Sequence, residues 1–325
     1  MKQSMMQMIG TFLLGILVPC MIFPRQQDAP APTVETTQQT QVTTCPQPVD
    51  EPVLITVLDG AGNLLQMELE SYVFGVVLAE MPAAFEPEAL RAQAVASRTY
   101  ALKQGEENKH PMGAVCMDSS CCQAYISPQA YITQVSTREY ADKVESAVQA
   151  TAGQVLLYAD ALAETTYFSC SGGMTEAAAA VWGRDYPYLQ AVKSPGEEWA
   201  ESFAFQRYFT AAELCGKLGL SIPEGAALHF CVLSYTAGGG VAQMEICGSV
   251  FEGTQLRQLL ELPSTMFAFS ADAYGITVTA RGKGHRVGMS QYGADAMALQ
   301  GSSYAEILSH YYGGTTLAQY VAPEN

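Results

Sequence analysis

A glutamate stands near the end of an apolar stretch, LESYVFGVVLAEMP (69–82), where it is Glu80 and is followed closely by Pro82. The apolar residues recur at helical spacing, so the stretch predicts an amphipathic helix. Apolar surroundings and the negative end of a helix dipole both make a carboxyl hold its proton more tightly. Such a group can serve as a general acid near neutral pH. The residues alone favour an ordinary glutamate in a solvated turn over a catalytic acid.

A second group of reactive side chains lies in a polar loop and consists of His110, Cys116, Cys121 and Cys122. Imidazole and thiolate groups are zinc ligands, and three of them would leave a fourth position open to water. The spacing lacks a tight pair of cysteines, so it does not establish a metal site by itself. A disulfide, if the domain lies outside the reducing cytosol, and free thiols are the alternatives.

The stretch FSCSGG (168–173) predicts a strand that runs into a turn. Gly172 and Gly173 permit positive φ and a close approach of a ligand to the backbone. The hydroxyl of Ser171 can bond either a sugar hydroxyl or its own backbone. A serine hydrolase is disfavoured, because the chain has no G-x-S-x-G elbow.

The whole chain has 325 residues, a hydrophobic content of 49% and a net charge of −16. The negative charge argues against a nucleic-acid partner, since affinity for the phosphate backbone comes from Lys and Arg. Residues 1–23 are largely apolar and predict an uncleaved membrane anchor, although a signal peptide also fits. Residues 24–50 are rich in Pro, Gln and Thr and predict a disordered linker.

The rest of the chain alternates irregularly between helical and strand patterns, which favours an α+β fold over a doubly wound sheet. We expect a catalytic domain made of residues 51–193 and 271–325, with a smaller subdomain at 194–270 inserted into it and a groove between them. The predicted helices cover 69–81, 87–104, 138–153, 210–218, 290–301 and 303–312, and the predicted strands cover 53–59, 64–69, 154–158, 165–170 and 274–282.

Three separated blocks resemble the stage II sporulation protein D family of lytic transglycosylases. They are LESYVFGVVLAEMPAAFEPEALRAQAVASRTYAL (69–102), YFSCSGGMTEAAAAVWG (167–183) with YPYLQAV (186–192), and GHRVGMSQYGADAMALQGSSYAEILSHYYGGT (284–315). The resemblance implies that Glu80 is the catalytic acid. It also implies a role for Arg98, which we expect to bind substrate rather than to pair tightly with Glu80, because a close cation would lower the pKa of the acid.

The resemblance extends to the other two groups of residues. Some clostridial members carry zinc on a His-x5-Cys-x5-Cys pattern, which selects His110, Cys116 and Cys122 and leaves Cys121 spare. In the third block Arg286 replaces the usual glycine, which would cost about 1 kcal/mol if φ is positive there. The groove-lining residues suggested by the second and third blocks are Ser171, Gly172, Gly173, His285, Ser290, Gln291 and Tyr292.

The resemblance implies cleavage of peptidoglycan during engulfment of the forespore. The substrate would be glycan strands freed of their peptide stems, and the products would carry a 1,6-anhydro-N-acetylmuramic acid end. The implied partners are stage II sporulation protein P, an amidase, and stage II sporulation protein M, a membrane scaffold. The implied location is the outer forespore membrane, with the catalytic domain on its extracytoplasmic side. Two alternatives remain: a non-catalytic glycan-binding module of the same fold, and a zinc-dependent cell-wall amidase or peptidase.

Overall fold

The structure, a computed structural model, describes residues 52–221, 228–272 and 275–322. The predicted anchor (1–23) and linker (24–50) lie outside these residues. Within the described residues, no helix is both long enough and apolar enough to cross a membrane. Helices are mixed with several small sheets, in agreement with an α+β fold.

Each helix and strand expected from the sequence pattern is present within a few residues of its expected bounds, and the short helices α3, α5 and α7 were not predicted. The helices are α1 Leu69–Glu80, α2 Pro87–Glu106, α3 Pro128–Val135, α4 Glu139–Ala150, α5 Ala178–Trp182, α6 Ala211–Leu218, α7 Gly253–Leu259, α8 Gln291–Leu299 and α9 Tyr304–Tyr311. The strands are β1 Leu54–Leu58, β2 Leu64–Glu68, β3 Val115–Cys116, β4 Gln154–Tyr158, β5 Ala161–Leu162, β6 Tyr167–Phe168, β7 Ala204–Thr210, β8 Phe230–Tyr235, β9 Val241–Ile246, β10 Ser249–Glu252, β11 Phe267–Ala271, β12 Gly275–Arg281, β13 Met289–Ser290 and β14 Thr316–Gln319.

Helix α2 forms the centre of the larger hydrophobic core and is buried along most of its length. It packs against α1, α4, α8, α9 and β4. Small side chains such as Ala92, Ala96 and Ser97 let these neighbours approach closely, and all three are fully buried. Helix α2 therefore fixes α1, and with it Glu80, relative to the last two helices.

A second hydrophobic core lies between two three-stranded antiparallel sheets and helices α6 and α7. The sheets have the strand orders β11–β12–β7 and β10–β9–β8. Strand β12 pairs on both sides and places Ile276, Val278 and Ala280 in this core. Strand β12 therefore packs with β7 and β11, and the expected division into residues 51–193 with 271–325 and residues 194–270 stays a prediction.

Arg286 connects the two cores and is fully buried. Its guanidinium bonds the Glu176 carboxylate at 3.2 Å and donates to the carbonyls of Ser171, Met174 and Gly238 at 2.9, 2.8 and 2.6 Å. Its φ is 67°, so the expected backbone cost is present at this position. The buried ion pair and the three carbonyl contacts explain why an arginine is tolerated there.

Candidate active site

Glu80 lies in a cavity of about 680 Å³, a size typical of ligand sites. The end of α1, the loop 109–122, the segment 166–169, Trp182 of α5 and the segment 283–285 form its walls. The lining residues are Glu80, Tyr100, Lys109, Ser119, Ser120, Cys121, Cys122, Thr166, Tyr167, Phe168, Ser169, Trp182, Lys283, Gly284 and His285.

Glu80 is the last residue of α1 and is half-buried. Burial raises the pKa of its carboxyl, and a hydrogen bond from the backbone N–H of Ala124, at 2.6 Å to Oε1, offsets part of that rise. Within the part of the chain that the structure describes, Glu80 is the only carboxylate among the residues that line this cavity. The cavity therefore contains one carboxyl group, and one of its oxygens accepts a hydrogen bond from the backbone.

The chain around Glu80 is held by local hydrogen bonds on both sides. Met81 donates its N–H to the Val77 carbonyl at 3.1 Å, which ends α1. Pro82 then opens a turn in which Phe85 donates to the Pro82 carbonyl at 3.0 Å. The sequence EMP thus places the carboxyl at a helix end, where the chain changes direction beside the cavity.

Ala124 is positioned by its neighbour Gln123, which is almost fully buried. The Gln123 side chain accepts from the Tyr72 hydroxyl at 3.2 Å and donates to the Tyr167 hydroxyl at 2.9 Å and the Ser97 carbonyl at 3.3 Å. These bonds tie the loop to α1, α2 and β6 at once. The sequence pattern did not indicate Gln123, because its partners are distant along the chain.

The metal-ligand candidates come together as a group of four. The ligand atoms of His110, Cys116, Cys121 and Cys122 all lie within 4.8 Å of one another. The His110 Nε2 atom is 3.4 Å from both the Cys121 and the Cys122 sulfurs. Cys121 is therefore part of the cluster, which corrects the expectation that it is spare. The described cysteines are free thiols, so the cluster holds no disulfide.

The geometry of this cluster fits a zinc ion. Tetrahedral zinc with bonds of about 2.3 Å to sulfur and about 2.0 Å to nitrogen needs ligand atoms about 3.5–3.8 Å apart. The two 3.4 Å separations are close to that value. One imidazole and three thiolates supply four ligands, which is the number found in closed, structural zinc sites. The chemistry of the donors therefore suits a metal that stabilises the loop.

His285 lies in the cavity, where the sequence pattern had placed it. Its ring packs against Trp182 and Phe168, with centroid separations of 5.2 and 5.6 Å. Burial, with a contribution from Arg257, lowers the pKa of His285 to about 4. The Val287 N–H donates to Nδ1 at 3.1 Å, in keeping with a neutral ring. At neutral pH His285 thus offers a flat, uncharged wall.

Tyr292 lies in an adjoining cavity of about 470 Å³ rather than beside Glu80. Its ring contacts Trp199 and Phe85 edge-on, with centroid separations of 4.9 and 5.0 Å. Trp199 itself is 53% exposed, although it packs against both Tyr292 and Phe85. We call these three residues the aromatic platform. An exposed, well-packed indole is a suitable surface for the apolar face of a sugar ring.

Arg98 does not line the cavity, contrary to the expectation that it binds substrate. Its side chain is fully buried and pairs with Glu70, with Nε–Oε1 and Nη2–Oε2 distances of 2.8 and 2.5 Å. The same guanidinium donates to the carbonyl of Gln154 at 3.0 Å. The arginine therefore joins α1, α2 and β4 and acts on the site only through the fold.

Ser171 and Gly172 are also buried and away from the cavity walls. Both backbone N–H groups donate to Glu197 Oε2, at 2.7 and 3.1 Å, and the Ser171 hydroxyl donates to the same carboxylate. At Gly172 the φ is 75°, and a Cβ would lie 2.8 Å from the Arg281 backbone. The FSCSGG turn thus surrounds a buried carboxylate, and Glu197 is a structural residue that the sequence pattern did not indicate.

The remaining predicted groove residues have structural positions. Ser290 caps α8 by accepting from the Gly293 N–H at 3.2 Å and is fully buried. Gln291 is buried against Gln93 of α2. Gly173 is half-buried and lies outside the residues that line the cavity. Of the predicted sugar-binding residues, His285 and Tyr292 are the two that line the three cavities described for residues 52–221, 228–272 and 275–322.

Two further cavities adjoin the Glu80 cavity and share lining residues with it, and we call the three together the groove. Trp182 and His285 line both the Glu80 cavity and a neighbour of about 490 Å³ that reaches α7. Ser169 and Lys283 line both the Glu80 cavity and the one that contains Tyr292. The sequence has only two tryptophans, and this rarity was the only feature of the sequence that drew attention to them. Trp182 lies on one side of the groove, and Trp199 on the other side packs against Tyr292.

The fold and the site together define an α+β protein with an acid in a long groove and a Cys3His loop beside it. The family model SpoIID, described as "Stage II sporulation protein", matches residues 59–158. The chain is 36% identical to stage II sporulation protein D of Bacillus subtilis (strain 168), covering 98% of this chain and 96% of the relative. The protein of the same name from Bacillus amyloliquefaciens is 34% identical over the same shares. The chain belongs to the stage II sporulation protein D family.

A more distant relative has a different name. The amidase enhancer of Bacillus subtilis (strain 168) is 30% identical over 76% of this chain and 40% of the relative.

Proposed function

We propose that the protein is a peptidoglycan lytic transglycosylase in which Glu80 acts first as the acid and then as the base. The substrate is the bond between N-acetylmuramic acid and N-acetylglucosamine in strands without peptide stems. The observation that carries the proposal is the half-buried carboxyl of Glu80, the one carboxylate among the described residues that line the cavity, with a pKa raised by burial. Hydrolases with paired carboxylates need a second acid there.

The reaction proceeds without an external nucleophile. Glu80 donates its proton to the glycosidic oxygen as the bond to C1 of the muramic acid breaks. The C6 hydroxyl of the same sugar attacks C1, and its proton passes to the Glu80 carboxylate. A 1,6-anhydro ring and a free 4-hydroxyl result, so Glu80 ends the cycle protonated. The Ala124 N–H, 2.6 Å from Oε1, holds the carboxyl in place and stabilises its charged form between the two steps.

Zinc held by His110, Cys116, Cys121 and Cys122 would supply structure rather than reactivity. If all four residues bound the ion, they would complete a tetrahedron and leave no position for a reactive water. Cys122 is close along the chain to Ala124, whose N–H bonds the acid. The ion would therefore hold the loop that orients Glu80. The same count of ligands disfavours a zinc-dependent amidase, which needs an open coordination site.

A non-catalytic role is the second candidate, and one observation favours it. A relative of this chain has the name amidase enhancer, which implies action through another enzyme. In that case the groove would bind glycan, and Glu80 would be dispensable. The protein would then raise the activity of a partner amidase, and the protein alone would leave glycan unchanged.

The cellular setting is proposed from the family. We place the protein in the outer forespore membrane, with residues 1–23 as anchor and the groove on the extracytoplasmic side. Stage II sporulation protein P would remove the peptide stems, and stage II sporulation protein M would hold the assembly at the membrane. The family name in the comparisons supports a sporulation role.

Mass analysis of digested, stem-free glycan tests the reaction. The proposal expects products lighter by one water than those of hydrolysis, and expects none from Glu80→Gln. Reducing-end products from the wild type would contradict the transglycosylase mechanism. Unchanged glycan, together with faster cleavage by an added amidase, would favour the non-catalytic role instead.

A further inference from the structure

The charge inside the Glu80 cavity is opposite to that of the whole protein. The chain carries a net charge of −16. The charged residues that line the cavity are Lys109, Lys283 and Glu80. His285 adds no charge, because burial lowers its pKa to about 4. With Glu80 protonated for its first step, the local excess is positive, which favours an anionic group on the ligand.

The two lysines differ in what they already bind. Lys109 donates to the Cys121 carbonyl at 2.5 Å and so is committed to the metal loop. Lys283 is exposed, and no ion pair to its ammonium is found in the described part of the chain. Lys283 is therefore the cation that remains available to a ligand.

The backbone of Lys283 is fixed although its side chain is exposed. It pairs with Cys170 through two hydrogen bonds of 2.7 and 3.1 Å. The flanking residues Gly282 and Gly284 have φ of 77° and 121°, and a Cβ at either one would lie within 2.7 Å of the segment 168–171. The close contact made possible by these glycines holds Lys283 where the Glu80 cavity meets the Tyr292 cavity.

We propose that Lys283 is a specificity-determining residue that binds the carboxylate of a stem-free N-acetylmuramic acid. The inference rests on the proposed function and names the chemical group of the substrate that the site recognises. Each muramic acid carries a lactyl carboxyl, which is a neutral amide while a peptide stem is attached and becomes an anion once the stem is removed. A cation that lines the same cavity as the acid thus favours the stem-free strand. The charge also acts before contact, because it attracts anions into the groove.

Binding measurements on non-cleaving protein test this assignment. In a Glu80→Gln background, calorimetry would compare stem-free muramic-acid oligosaccharides with chitin oligosaccharides of equal length, which lack the carboxylate. We expect Lys283→Gln to weaken binding of the muramic oligosaccharide about fivefold at low salt. The loss should shrink as salt rises, and binding of the chitin oligosaccharide should stay unchanged.

The control is Lys193→Gln, which removes the same charge from an exposed position outside the groove cavities. It should leave the binding of both ligands unchanged. Unaltered chitin binding also shows that the Lys283 variant is folded. Equal losses on both ligands, or no loss on either, would overturn the role of Lys283. Products without an anhydro ring would overturn the proposed reaction and leave the preference for the anion standing.

Discussion

Glu80 is a carboxyl that the folded protein keeps protonated to higher pH than the unfolded chain does. Burial raises its pKa in the folded state, so the charged form costs stability once the pH exceeds the unfolded value of about 4.3. We expect Glu80→Gln to increase the free energy of unfolding at pH 7 to 8, with the gain vanishing below pH 4. Urea denaturation across that pH range measures it.

The control for this experiment is Glu145→Gln, on an exposed position of α4. Its effect on stability should be small, because the side chain is exposed. A pH-independent effect of Glu80→Gln would contradict the buried, protonated acid. In activity measurements, the same raised pKa predicts a rate that falls as pH rises through the folded-state value, because the acid form is lost.

Arg98 is a residue whose importance is structural. Replacing it with Met leaves Glu70 without its partner and the Gln154 carbonyl without a donor. Breaking a fully buried pair costs about 3 kcal/mol, and since the Glu70 side chain is 26% exposed we expect a loss of about 2 kcal/mol in urea denaturation. The control is Arg91→Met on the same helix, where a partly exposed pair with Glu88 predicts a loss under about 1 kcal/mol.

Active protein with Arg98→Met and unchanged stability would show that the guanidinium has no structural role. Loss of glycan binding at unchanged stability would restore the role in substrate binding that the family motif implied. The variant therefore separates the two functions that one arginine can have.

The loop from His110 to Ala124 links the candidate metal-binding residues to the acid. We expect Cys121→Ser to weaken zinc binding by at least about tenfold, because loss of even an outer partner of a metal ligand has that effect. Cobalt substitution measures the ligand set directly, since three thiolates give stronger charge-transfer absorption than two. Cys231→Ser, an exposed thiol on β8, is the matched control.

An unchanged cobalt spectrum in Cys121→Ser would return Cys121 to the role of a spare thiol. If the four-ligand site is correct, removal of zinc should loosen the Ala124 contact to Glu80. Turnover would then fall while the chemical identity of the product stays the same. A metal that activates water would instead change the product.

The sequence predicted the elements well and the partners of side chains poorly. Helices α1, α2 and α9 follow from local periodicity, and Glu80 follows from its place at the end of an apolar run. Arg98, Ser171 and Gln291 were predicted to bind substrate or line the groove, because nothing local in the sequence reveals the distant groups that they contact in the fold. Cys121 was set aside because a spacing rule cannot show how a loop folds back on itself.

At the scale of the whole molecule, Arg286 and Glu176 join the two hydrophobic cores. We expect Arg286→Gly to lower the free energy of unfolding by about 2 kcal/mol. Loss of the buried ion pair costs about 3 kcal/mol, and a glycine at this positive φ removes a backbone strain of about 1 kcal/mol. The second substitution Glu176→Gln should recover part of the loss, because it removes the unpaired charge.

A double-mutant cycle measured by urea denaturation tests this coupling. If the two substitutions changed the free energy of unfolding additively, the interaction between Arg286 and Glu176 would contribute nothing to stability. Lys217→Gln, which breaks an exposed pair with Glu261, is the comparison and should cost under about 1 kcal/mol.

The two exposed tryptophans predict how affinity depends on strand length. We expect Trp182→Ala and Trp199→Ala each to weaken binding of long oligosaccharides several-fold, since an aromatic contact contributes about 0.5–1.5 kcal/mol. Short oligosaccharides that reach only the Glu80 cavity should be less affected by Trp199→Ala. Calorimetry on a length series checks this, with Tyr235→Ala, an exposed aromatic on β8, as control. Equal losses at every length would contradict subsites beyond the acid.

The cavities on both sides of Glu80 have a consequence for how a polymer would be cut. Further lining residues extend from the acid in two directions, toward α7 and toward Tyr292. A strand can therefore lie broadside across the protein without threading a terminus into a closed tunnel. For the proposed reaction, this geometry selects scission at internal bonds, so a long strand would first fall into large pieces before small fragments accumulate.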